Sequence, residues 1–104
     1  MENMEDLETI FISAKNAKIN TNNYIHEREE FYRNKAIDFL TKYNFNKVIT
    51  KACEDRLFSI PPIQIEEREL AYAVRDILDT LGYIVKVNMF NNIYSVNVKW
   101  KGNL

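Results

Sequence analysis

A chain of 104 residues with a formal net charge of −1 has the length of one domain and no overall pull toward nucleic acid or an anionic membrane. Its apolar share of 46% and aromatic share of 12% exclude a disordered composition. The single cysteine, Cys53, excludes an internal disulfide and suits a reducing compartment. The acidic opening MENMEDLE lacks the basic start of a secretory signal, and no apolar run approaches the roughly 18–20 residues of a membrane span.

Taken in order, the chain predicts an α+β domain over residues 1–104: about four helices followed by a C-terminal antiparallel β-hairpin packed on the last helix. The first helix is expected over 4–19, where Leu7, Ile10, Phe11 and Ala14 recur at helical spacing. It is also a candidate for detachment or for exchange between subunits. Asn20-Thr21-Asn22-Asn23 is a polar break with capping character. A second helix, about 24–43, carries Ile25, Tyr32, Ala36, Phe39, Leu40 and Tyr43 on one face. After Asn44-Phe45-Asn46, with Asn46 as cap, a third runs to about Phe58 with Ile49, Cys53 and Leu57 on its core face.

Pro61-Pro62 forbids helix, so Ser59 to Ile65 is an extended connector, and the alternation of Ile63 and Ile65 allows a short edge strand. The fourth helix, about 66–81, has the stripe Leu70, Val74, Ile77, Leu78 and Leu81, with an Arg75–Asp79 contact expected one turn apart. Gly82 closes it as a left-handed residue and leads directly into the hairpin.

The hairpin is the most sharply specified stretch. Asn91-Asn92 suits a two-residue type I′ turn, which needs positive φ at both positions. Folding there sets Tyr83, Val85, Val87 and Met89 against Trp100, Val98, Val96 and Tyr94 on one apolar face. The other face carries Ile84, Lys86, Asn88 and Phe90 against Lys99, Asn97, Ser95 and Ile93. A two-stranded sheet is marginal alone, so its exposed edges and the outward Ile84, Phe90 and Ile93 are the candidate protein interface.

The signals for chemistry are weaker than their ordinary explanations. His26-Glu27 has the first half of a zinc-protease helix, but the position four residues after the histidine is Glu30, and His26 is the only histidine. Cys53 sits at core spacing rather than within a nucleophile motif. The carboxylate pairs, Asp76 and Asp79 among them, fit solvated helix faces. With glycine only at 82 and 102, nothing before residue 82 is a glycine-rich phosphate loop. No cofactor or metal is expected. Residues 82–104 hold Lys86, Lys99 and Lys101 and no acid, so these lysines are the candidate nucleic-acid contacts. A helix followed by a hairpin also suggests a winged helix with Asn91-Asn92 at the wing tip. The many acids of the fourth helix argue against that, and edge lysines also deter aggregation.

The segment LGYIVKVNMFNNIYSVNVKW, in a short chain rich in Asn, Ile and Lys and poor in glycine, resembles small proteins of AT-rich bacteriophages. The likeness covers about a fifth of the chain and is one of composition. It transfers no site residue. It implies a viral protein of host cytoplasm or virion that works by binding rather than by catalysis.

Three readings follow. The first is a non-catalytic binding or assembly module that self-associates or binds another protein. The second is a small nucleic-acid-binding regulator using the basic hairpin. The third is a small-ligand binder or enzyme whose site forms between subunits from residues such as His26, Glu29, Glu30 and Arg33.

Overall fold

A computed structural model describes residues 10–102. Within them the chain is α+β, with three helices and a three-stranded antiparallel sheet. The elements are α1 (Ala14–Tyr43), α2 (Phe45–Glu54), β1 (Ile63–Ile65), α3 (Arg68–Thr80), β2 (Ile84–Phe90) and β3 (Ile93–Lys99). Two units divide after Glu30, within α1.

In the unit up to Glu30, the described residues comprise Ile10, which is helical, a short non-helical stretch and the first part of α1. Residues 4–9 of the first expected helix lie outside the described residues. Phe11, Ile12 and Ser13 are not helical, and the helix starts at Ala14. Ser13 caps it: its Oγ accepts the Asn16 amide at 3.2 Å, and its carbonyl accepts the Ala17 amide. The expected break at Asn20–Asn23 does not occur, because α1 runs through it for 30 residues. Asn and Thr are only mildly unfavourable inside a helix and forbid nothing there, whereas Gly or Pro would carry a real cost. Ile19 and Ile25 stay exposed, so the predicted stripe becomes a buried one only further along, at Ala36 and Leu40.

In the unit from Phe31 onward, one-residue switches set the helix ends. Asn44, at φ 66°, ends α1 and starts α2. The cap is therefore two residues earlier than the expected Asn46, and Phe45 enters the core as the first residue of α2. The helix stops at Glu54, short of the expected Phe58. Arg56 takes φ 63°, while its amide and that of Leu57 return to the Cys53 and Ala52 carbonyls. That early stop changes the buried face: Phe45 and Ala52 are buried with Val48 and Ile49 beside them, while Cys53 and Leu57 are exposed.

The end of α3 has the same hydrogen-bond pattern with the expected residue in place. Gly82 is at φ 95°; its amide bonds the Asp79 carbonyl at 2.9 Å and the Tyr83 amide bonds that of Leu78 at 3.1 Å, the two bonds of a Schellman motif. The helix buries Leu70, Ala71, Val74 and Leu78 against one face of the sheet and contacts all three strands. Arg75 does not reach Asp79. It bonds its neighbour Asp76 at 2.9 Å and lies 4.7 Å from the centre of the Tyr72 ring, since a guanidinium over an aromatic face competes well at a half-exposed site.

The hairpin has the register given by the turn. Asn91 and Asn92 take φ 51° and 62°, and Ile84 pairs Lys99, Val87 pairs Val96 and Phe90 pairs Ile93. The sheet, however, has order β1-β3-β2. Ile63, Gln64 and Ile65 pair Val96, Ser95 and Tyr94, and the Ile60 and Trp100 amides bond the Val98 and Phe58 carbonyls. The hairpin thus does have a third strand, and β3 is central. Ile60, Ile63, Ile65, Val96 and Val98 join Ala36, Leu40, Phe45, Ala52 and the α3 residues in one core. Edge-to-face contacts from Phe45 to Tyr83 and from Tyr83 to Trp100 close its base. Beside this core, Lys35 donates to Glu67, and that bond holds the lysine ammonium above its ordinary pKa.

The left-handed ends of α2 and α3 make opposite predictions. Gly82→Ala meets no neighbour within 4 Å, so its cost is backbone strain alone, about 1–2 kcal/mol. Arg56→Gly relieves the same strain and should stabilise by about 0.5–1 kcal/mol after the added flexibility of the unfolded chain. Urea titration of both variants checks the pair of signs.

Candidate functional site

The candidate interface lies on the hairpin, in the unit from Phe31 onward. In a two-residue hairpin the pair flanking the turn exchanges both backbone hydrogen bonds, and pairs then alternate along the ladder. Ile84, Lys86, Asn88 and Phe90 therefore bond inward to β3. The amides and carbonyls of Val85, Val87 and Met89 point away from it. β3's other edge is met by β1 and by the stretch 58–60, so among the described residues β2 is the hairpin's open edge and the longer of the sheet's two edge strands, β1 being the other.

The side chains divide by face. On the helix-covered face Val96 and Val98 are 0% and 2% exposed, and Val85 and Val87 are half-buried. Cover ends before the turn, leaving Met89 61% exposed. On the outer face Ile84 is half-buried, while Phe90 and Ile93 at the tip are 77% and 38% exposed. All three residues expected at the interface thus share one face of one hairpin, Phe90 and Ile93 directly paired and Ile84 at the far end. Pattern reading offers both edges of the hairpin, and β1 occupies one of them. The signal for the other is the parity of the turn, which decides which residues of β2 face outward.

The lysines are less uniform. Lys86 is exposed and Lys99 half-buried, and both line a shallow depression with Ser59, Ile60, Asn97 and Val98. The Asn97 amide donates to the Lys86 carbonyl. Lys101 leans away, its ammonium 4.5 Å from the centre of the Phe58 ring. The depression thus brings two of the three expected cations together and leaves the third on an aromatic face. Glu66, Glu69, Asp76 and Asp79 are exposed on or just before α3.

The residues weighed for chemistry are placed as follows. His26 lies in α1, its Nε2 4.0 Å from a Glu30 carboxylate oxygen with both side chains exposed. Cys53 is exposed on α2. Among the described residues, no three or more His, Cys, Asp or Glu side chains gather in a metal-binding arrangement, and no helix is long and apolar enough to cross a membrane. Comparison with protein-family models, curated proteins and solved structures finds no match.

Exposure at the tip implies that Phe90 and Ile93 contribute little to the fold. Phe90→Ser and Ile93→Ser should each change monomer stability by no more than about 0.5 kcal/mol. Leu78→Ala, beneath the same sheet and fully buried, should cost about 2–5 kcal/mol. Thermal unfolding at low protein concentration compares them.

Proposed function

We propose that this protein is a non-catalytic binding and assembly module that works through protein–protein contacts, self-association among them, and that the hairpin is its contact surface. One observation carries the reading. The open β2 edge, the exposed Phe90 and Ile93 and the half-buried Ile84 occur on the same strand pair. An open edge is a template for strand addition, and apolar side chains on its outer face give an added strand something to bury. The likeness of this segment to small proteins of AT-rich bacteriophages agrees with such a role, as those proteins act mostly by assembly or inhibition in the host cytoplasm or virion.

A second reading, a nucleic-acid-binding regulator, is favoured by the joint placement of Lys86 and Lys99 in one depression on a segment without acids. The acids around α3 and the diversion of Lys101 to Phe58 weigh against it, because backbone binding needs several cations along a phosphate track.

Sedimentation of the wild type and of the Phe90→Ser, Ile93→Ser double variant tests the first reading. The variant should associate about tenfold or more weakly, the loss of a central contact worth at least about 1.4 kcal/mol. Equal association of the two would remove the outer face from the interface. For the second reading, mobility of short DNA and RNA at low salt should be unchanged by excess protein. A shift that falls on Lys86→Glu and Lys99→Glu would reverse the order of the two readings.

A further inference from the structure

We infer that the partner of the β2 edge is a second copy of the same edge, joined antiparallel about a twofold axis through Val87 to form a continuous six-stranded sheet. The inference rests on the interaction-module reading and specifies its geometry.

The argument comes from the composition of β2, Ile84-Val85-Lys86-Val87-Asn88-Met89-Phe90. In a twofold antiparallel pair, each residue meets the one equally far on the other side of the axis. An axis at Val87 pairs all seven residues of the strand: Ile84 with Phe90, Val85 with Met89, Lys86 with Asn88, and Val87 with itself. The amides and carbonyls that face outward, those of Val85, Val87 and Met89, are the ones this register needs, since Val87–Val87 and Val85–Met89 become the hydrogen-bonded pairs.

The side chains match as well. On the outer face, Ile84 of each copy covers the exposed Phe90 of the other, twice. On the helix-covered face, the exposed Met89 meets the half-buried Val85. The one charge of the strand, Lys86, meets a neutral Asn88 that can accept its hydrogen bond.

Neighbouring registers lack this fit. An axis at Lys86 sets the two ammonium groups directly opposite each other, which is destabilising. An axis at Asn88 sets Lys86 against Phe90 and pairs five residues of the strand instead of seven. The axis at Val87 stands perpendicular to the sheet, so both α3 helices cover the same face and the two outer faces join. The pairing is isologous, using the same patch on each copy.

The test uses the full chain and exposed substitutions on the outer face. Asn88→Glu places a carboxylate opposite Lys86 at two symmetric positions and should tighten the dimer about tenfold at low salt. Asn88→Lys places like charges there and should weaken it by about the same factor. Lys86→Glu combined with Asn88→Lys should recover the tighter association, because the opposite charges return with their positions exchanged. Sedimentation equilibrium from micromolar to millimolar protein reads the dissociation constants, and circular dichroism at low concentration checks that each variant is folded.

A wild-type dimer whose strength is indifferent to all three variants overturns the Val87 register and leaves the interaction-module reading standing. A wild type that stays monomeric throughout overturns self-association itself. A dimer that loosens with Asn88→Glu and tightens with Asn88→Lys also overturns the register.

Discussion

The structure depends on the burial of β3 between two other strands and beneath α3. Val96 and Val98 are removed from water, with Val74 and Leu78 of the helix equally buried in the same core. An isolated hairpin of this size is marginal. It becomes a stable layer here because Ile63–Ile65 hydrogen-bonds to its far side and one amphipathic helix covers one face of all three strands. The Schellman turn at Gly82 favours that cover, since the helix ends at Thr80, three residues before Tyr83, and the strand begins at Ile84, one residue after it. The aromatic contacts Phe45–Tyr83–Trp100 then tie α2 to the base of the same hairpin.

What was legible in the sequence was local. The β2–β3 register follows from two asparagines and period-two alternation, and the α3 end from a glycine. Both are decided within a few residues. Helix boundaries elsewhere were not legible, and asparagine is the reason. Asn44, Asn91 and Asn92 take left-handed backbone, while Asn20, Asn22 and Asn23 remain helical. One residue type thus serves as cap, turn and helix interior, and its intrinsic preference is too small to choose. Arg56 shows the converse. A residue with no preference for left-handed backbone adopts it where α2 ends, and this removes Leu57 from the helix and puts Cys53 outside the core. The strand β1 was visible as an alternation, but its partner lies about thirty residues away, and periodicity carries no information about that pairing. Without it the hairpin has two open edges; with it, among the described residues, one remains.

That change narrows the candidate interface. The outer residues Ile84, Phe90 and Ile93 were visible as apolar positions on a polar face, and the structure puts two of them at an exposed tip. The part that sequence patterning did not reveal is which edge stays open: turn parity turns the amides and carbonyls of Val85, Val87 and Met89 outward, but only the pairing of β1 with the far side of β3 leaves the β2 edge as the hairpin's open one. The lysines divide for a similar reason. Lys86 and Lys99 are held near one another by the ladder, whereas Lys101 lies beyond it and settles on Phe58.

An open edge also raises the question of why such a chain would not polymerise. The two edges of this sheet are unequal. β2 offers seven residues, and β1 offers three that directly follow Pro61-Pro62. Beyond Ile63 and Ile65, which bond inward to β3, the outward backbone of β1 reduces to Gln64, and proline before it supplies no donor to extend the ladder. Pairing of β2 with β2 uses the long edge on both copies and leaves two short ends that are poor templates. Association through this edge would therefore be self-limiting, and the charge at Lys86 would resist sliding into the registers that bring two ammonium groups together. The same strand that leaves the sheet unfinished carries the features that would let it close once and stop.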